Sequence, residues 1–148
     1  MINKVTIKES IFISKSRELV WDYTQNYNNR SKWDFSVTDF EMIQETPNRI
    51  VKIKSPGKME SIFEYKLEER PTRTSLSMKN SNKSFLIGGG GSWHYEDKDG
   101  GTIWTQTNTM VLKDNLLFRI LNPVFAFGLK YNTQKALKKA KKIIEDIK

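Results

Sequence analysis

Cysteine is absent from this chain of 148 residues. That excludes thiol nucleophiles, thiolate metal sites and a disulfide framework, and it fits a reducing, cytoplasmic setting. Histidine is nearly absent: His94 stands alone, so no histidine pair or ligand triad can form around it. Long hydrophobic runs are missing too. Residues 1–14 alternate polar and apolar side chains, without the roughly 7–15 consecutive apolar residues of a secretory signal. The apolar stretch near the end is interrupted by Arg119, Asn122 and Pro123 and falls short of the roughly 20 residues that span a bilayer. No linker, repeat or low-complexity tract divides the chain. With 37% hydrophobic and 28% charged residues, it has the composition of one globular domain over residues 1–148, long enough to bury a core without staples.

Acidic residues are outnumbered, 17 against 25 basic ones, for a net charge of +8. More than half of the excess has one address: between Lys130 and Lys148, seven lysines face Glu145 and Asp146. The spacing reads as the solvated face of an amphipathic helix, whose cations also complement the helix C-terminal dipole. A weak contact with an anionic membrane is the secondary expectation. Nucleic acid is not expected as a partner, because the lysines are not interleaved with aromatics that could stack on bases.

Periodicity predicts strands, a helical insertion, more strands and a closing helix. Val5, Ile7, Ile11 and Ile13 follow the period of two of a half-buried strand. Ser16 is placed to cap a helix near Leu19. Leu19, Val20, Tyr23 and Tyr27 then recur at helical spacing, Asn28-Asn29 breaks the helix, and Arg30–Asp34 forms one further turn carrying Trp33. Strand runs at 37–46, 49–54, 58–69, 72–79, 84–96 and 102–113 are separated by short polar turns, including Pro47-Asn48, Pro56-Gly57 and residues 97–101. Such spacing predicts an antiparallel meander. A lysine-rich helix with an apolar stripe of Ala136, Leu137, Ala140, Ile143, Ile144 and Ile147 ends the chain.

This order resembles the helix-grip superfamily of START-like and birch-pollen-allergen-like proteins (SRPBCC), and within it the bacterial polyketide cyclase/dehydratase-like branch. The resemblance is carried by Ile11-Phe12-Ile13-Ser14-Lys15-Ser16 running into Arg17-Glu18-Leu19-Val20-Trp21-Asp22-Tyr23. Asn28–Trp33 is similar to the second helix of that family, which ends in Trp. The hairpin of Trp93–Tyr95 with Gly100-Gly101-Thr102, and the terminal helix, complete it. The resemblance implies an α+β fold: a curved antiparallel sheet of about six or seven strands gripping a long C-terminal helix, with two short helices after the first strand. It also implies a mostly apolar cavity between sheet and helix, for a small hydrophobic or amphipathic ligand of lipid, polyketide or aromatic type. A cyclase/dehydratase-type enzyme and lipid transfer at anionic membranes are the alternatives, since a fold alone does not choose among activities.

The residues themselves argue against most catalytic devices. His94 alternates with Trp93 and Tyr95, so inward aromatics put it on the outer face. Glu60, Glu64 and Glu68 share a parity with Lys66 and read as a solvated face. Gly88–Gly91 leads into Ser92-Trp93-His94-Tyr95, a strand rather than the helix that a phosphate loop requires, so a bulge or a close backbone approach is expected. No catalytic residue, metal or cofactor is assigned. The cavity lining is expected from inward aromatics and the helix: Trp33, Phe63, Tyr65, Trp93, Tyr95, Phe118, Phe125 and Leu129. Trp104 and Gln106 share one face of the last strand, opposite Ile103, Thr105 and Thr107, and periodicity alone leaves open which face is inward. Asn122-Pro123 reads as an N-cap followed by proline at the first helical position. Residues 116–121 would then be a separate turn, and 116–129, loosened at Gly128, a gate to the cavity.

Overall fold

The computed structural model describes residues 2–148. Strand β1 (Asn3–Ile13) leads through two short helices, α1 (Arg17–Gln25) and α2 (Tyr27–Trp33), into β2 (Asp39–Gln44), β3 (Ile50–Ser55), β4 (Met59–Glu69), β5 (Arg73–Ser81), β6 (Leu86–Lys98) and β7 (Gly101–Leu112), and helix α3 (Leu116–Glu145) closes the chain. The seven strands form one antiparallel sheet in the order β1-β7-β6-β5-β4-β3-β2. Each connection from β2 to β7 is a hairpin. The helical insertion lets β1 leave the meander and pair with β7, in unbroken register from Asn3↔Leu112 to Ile13↔Thr102. The expected α+β helix-grip architecture is what the chain adopts.

Local chemistry accounts for the boundaries. Ser16 caps α1, its hydroxyl oxygen accepting the Leu19 N–H at 3.2 Å. The break between the helices falls at Asn26 rather than at Asn28-Asn29. Asn26 ends α1 in an extended conformation and caps α2, its side-chain oxygen accepting the Asn28 N–H at 3.0 Å. Asp99 and Gly100 both have positive φ, the pair of left-handed residues that a tight two-residue hairpin needs.

Helix α3 differs from its sequence expectation at the N-terminal end. It is capped by Asn115, whose side chain accepts the Phe118 N–H at 3.0 Å, and it runs through Pro123 without ending. An interior proline removes one backbone hydrogen bond and costs a helix about 3 kcal/mol. Tertiary contacts on both sides of it offset that loss. Phe118 and Phe125 pack on Phe85 with ring centroids 5.7 and 5.6 Å apart, and the Asn122 amide donates to Asn3 Oδ1 at 2.8 Å. Residues 116–121 are therefore the first turns of α3. Gly128 lies in open space within α3, for nothing lies within 4 Å of where its Cβ would be.

The buried side chains form three clusters. One joins α1, α2 and α3 to the sheet through Val20, Trp21, Trp33, Trp93, Tyr95, Trp104, Leu137, Ala140 and Ile144. A second holds Tyr27, Val37, Val51, Ile53 and Tyr65. The third holds Val5, Leu86 and Leu112 beneath the first half of α3. A domain of this size ordinarily packs one contiguous core. Here the space among the clusters is hollow.

Candidate functional site

The hollow is a cavity of about 220 Å³, walled by β3–β7, α2 and the middle of α3. Its surface is mainly apolar, with Val37, Ile53, Met59, Leu76, Met78 and Met110 prominent. Apolar walls with a few fixed polar groups are the usual make-up of small-molecule sites, and this volume lies below the roughly 300–1,000 Å³ of drug-sized ones. Part of the cavity follows from how β5 and β6 meet. Their ladder runs from Arg73↔His94 to Ser77↔Gly90 and stops. A bulge between Leu86 and Gly88 bends the strand beyond it, and Met78 and Leu86 line the opened space. Gly90 and Gly91 also stand on the wall, so the glycine run marks a bulge and a close approach of backbones.

The eight residues expected at the wall divide. Phe63, Trp93 and Leu129 line the cavity. Trp33, Tyr65 and Tyr95 do not reach it: each is under 2% exposed inside a cluster. Trp33 packs edge-on against Trp104 at 5.3 Å, and Tyr95 stacks on Trp104 at 5.9 Å. Inward parity puts a side chain in the interior, and whether it meets cavity or core depends on where the helices cross the sheet. Phe118 and Phe125 lie beside the cavity in the Phe85 cluster. Trp104 and Gln106 are the inward pair on β7, both buried. On the outer face, His94 has Ser92 Oγ 3.4 Å from its Nε2. Glu60 and Glu64 pair there with lysines, but the bulge between Tyr65 and Leu67 turns Glu68 to the inner face, opposite buried Thr74, where it pairs with Arg49 at 2.7 Å.

The polar wall comes from residues to which periodicity assigned no role. Arg30 is 3% exposed yet lines the cavity. Its guanidinium lies 4.4 Å from the Tyr27 ring centroid, 5.1 Å from Trp33 and 4.8 Å from Trp93. Burial works against its charge, but the neighbouring Tyr27, Tyr65 and Asp34 overcome this and raise its pKa. Tyr27, pushed well up by burial, shares a 2.7 Å hydroxyl contact with Tyr65. A legible signal did exist: Tyr27, Arg30 and Trp33 recur every three residues, the spacing of one helical face. From the strands come Gln106 and Asn108, and from α3 Thr133. Trp93 Nε1 donates to Asn108 Oδ1 at 3.2 Å, while Asn108 Nδ2 donates to Gln106 Oε1 at 2.9 Å and to Thr133 Oγ1 at 3.3 Å.

A family model described as polyketide cyclase / dehydrase and lipid transport matches residues 4–145. The chain belongs to that family. Solved structures share its fold at low identity. The Zhui aromatase/cyclase from Streptomyces sp. R1128 superposes with a TM-score of 0.81 at 11% identity, over 96% of this chain and 94% of that one. A START superfamily protein from Mycobacterium smegmatis gives 0.72 at 6% identity, over 93% and 98%. The di-domain ARO/CYC BexL from the BE-7585A biosynthetic pathway gives 0.77 at 13% identity over 98% of this chain, which spans about half (51%) of that protein. No curated protein matches by sequence. Among the described residues no helix of this family member is long and apolar enough to cross a membrane.

Proposed function

We propose that this family member binds a small amphipathic molecule in the cavity between its sheet and α3. The observation that carries the reading is the division of the core into three clusters around a hollow with apolar walls and a few fixed polar groups. A closed core would gain packing energy at no functional cost, since each unfilled methyl-sized space costs about 1 kcal/mol. Keeping the hollow is understandable if something occupies it. Native mass spectrometry of the chain as expressed tests this directly. The expected result is a one-to-one adduct, or uptake of one added naphthalene with a change in Trp93 emission. An unliganded chain that admits no hydrophobic probe overturns the reading.

A cyclase-type activity gains less support from the same wall. The one carboxylate lining it among the described residues, Asp34, accepts the Ser36 N–H and hydroxyl at Oδ1 and faces Arg30 with Oδ2. Tyr27 is a phenol that burial keeps protonated. Neither is a free group of the kind that proton transfer needs.

Exchange of the ligand at a membrane is favoured by the outer face of α3. Leu116, Leu117, Ile120, Val124, Phe127 and Tyr131 recur at the spacing of one helical face, and all are exposed, Phe127 by 73%. The same face continues into Lys135, Lys138 and Lys142, also exposed. An apolar ridge followed by cations matches an anionic lipid surface. Leu129, Thr133 and Ala136 on the opposite face line the cavity. One helix thus presents a ridge to the outside and a wall to the ligand.

A further inference from the structure

Arg30 and Arg49 are both stacked on tyrosine rings, but their N–H groups are satisfied very differently. Arg49 donates Nη1 to the Gln25 carbonyl at 3.0 Å and Nη2 to Gln25 Oε1 at 2.9 Å, pairs with Glu68 at 2.7 Å, and leaves only Nε over. Arg30 has one contact with an acceptor, Asp34 Oδ2 at a long 3.5 Å. Its Nε and Nη2 have no partner at all. The aromatic faces around it attract a cation but offer no lone pair in the plane of the guanidinium. A buried charge so poorly paired is costly unless something completes its hydrogen bonding.

An independent set of bonds points to the same chemistry. An indole N–H can only donate, so Trp93 fixes Asn108 with its oxygen towards β6. That leaves Asn108 Nδ2 to donate to Gln106 Oε1. Gln106 is thereby turned so that Nε2 is its free end, and this buried nitrogen too lacks a partner. Gln106 faces Trp93 across the β6–β7 ladder, and Arg30 stacks over the same indole. Two residues that line the cavity, on two different elements, thus carry buried donors without a partner.

We propose that the molecule bound in this cavity carries a carboxylate, received on the Nε/Nη2 edge of Arg30, with Gln106 Nε2 as a further donor. This rests on the cavity being a ligand site. The Nε/Nη2 edge offers two parallel N–H groups, which match a carboxylate bidentately, and charge-assisted bonds of this kind are about twice as strong as neutral ones. The apolar body of the ligand lies against Phe63, Leu76, Met78 and Met110. Asp34 is the competitor: its charge repels the carboxylate, and it occupies Nη1.

The experiment titrates the full chain with naphthalene-2-carboxylate and its neutral twin, naphthalene-2-carboxamide, by calorimetry and tryptophan emission. The expected result is at least tenfold tighter binding of the carboxylate, with the preference lost in Arg30→Gln. Asp34→Asn keeps the acceptor for Ser36 and removes the competing charge. It should tighten carboxylate binding several-fold and leave the amide unchanged. A guanidinium serving only as Asp34's structural partner predicts the opposite, and weaker carboxylate binding in Asp34→Asn overturns the proposal even if Arg30→Gln does not fold. Equal affinity of the unsubstituted chain for both probes also overturns it, while leaving the cavity reading intact. Failure of both probes and of naphthalene itself to bind overturns both.

Discussion

The carbonyl oxygen of Leu76 stands well inside van der Waals contact of the place a Cβ on residue 90 would take. Gly90 therefore owes its place to the last step of the β5–β6 ladder, where the strands are drawn tight just before they part around the cavity. Gly90→Ala should push β5 away from β6. Backbone cannot yield as a flexible side chain would, so the expected loss is about 2 kcal/mol, a fall in Tm of about 4–8 °C. Calorimetry checks the stability, and naphthalene titration checks whether the wall has moved.

Gly128→Ala should do the reverse. The position is inside α3, and nothing lies within 4 Å of the added methyl. Replacing a helix-interior glycine should stabilise by about 0.5–1 kcal/mol. Urea unfolding at constant m-value would show it. A destabilised variant would mean that the first half of α3 needs a looser helix, as a gate would.

Tyr95 is buried away from the cavity, and its hydroxyl completes a relay. Gln25 Nε2 donates to it at 2.8 Å, and it lies 2.8 Å from Thr24 Oγ1, whose own proton goes to the Val20 carbonyl. Burial raises the Tyr95 pKa, so the hydroxyl stays protonated and can donate to Thr24. Tyr95→Phe leaves Gln25 Nε2 without its acceptor and Thr24 Oγ1 without its donor and should cost about 1–3 kcal/mol, with affinity for naphthalene unchanged. The two measurements separate a core residue from a site residue.

How far the fold could be read in advance follows from how local its causes are. Ser16 caps α1 through a residue three positions on, and Asp99-Gly100 turns a hairpin by its own backbone preferences. Such features are visible in the residues that make them. Pro123 is the counter-example: it reads as a helix start, and Phe85 and Asn3, distant in sequence, hold it inside a helix. The site was less legible for a related reason. Strand parity places Phe63, Tyr65, Trp93 and Tyr95 indoors but cannot say that α1 and α2 close over Tyr95 and Tyr65 while leaving Phe63 and Trp93 on a hollow. Arg30 was concealed by its charge, because periodicity assigns a charged residue to the surface. Its spacing with Tyr27 and Trp33 hints at a shared face, and the rings of Tyr27, Trp33 and Trp93 around it establish it as interior.

Glu145 fastens the far end of α3 to the corner after β1. Ser14 donates its backbone N–H and its hydroxyl to Glu145 Oε2, both at 2.9 Å, and Lys141 adds a third bond at 2.8 Å. The Lys141 bond first, then those from Ser14, hold the carboxyl down to about 2 from an ordinary 4.5. A depressed carboxyl stabilises the fold above the unfolded value and loses that contribution as protons bind. Stability should therefore fall as pH drops from about 4.5 towards 2. Glu145→Gln should cost about 1 kcal/mol at neutral pH, allowing for solvent screening, and flatten the dependence of Tm on pH within that window. An unchanged slope in the variant would assign the acid sensitivity to other carboxylates.

The ridge on α3 makes the last prediction. Val124 and Phe127 are exposed, and the Phe127 ring stacks on Tyr131, itself exposed, so Val124→Glu with Phe127→Glu should leave Tm within about 1–2 °C of the parent, as surface substitutions do. Binding to vesicles should respond strongly. The parent chain is expected to float with phosphatidylglycerol vesicles more than with phosphatidylcholine ones, and less so as salt screens Lys135, Lys138 and Lys142. The double variant should lose flotation on both, because it removes apolar contact and places carboxylates against the lipid. Replacing those three lysines with glutamine should instead abolish only the preference for phosphatidylglycerol. Flotation that ignores both sets of substitutions would separate the ridge from any membrane and leave exchange of the ligand to the aqueous phase.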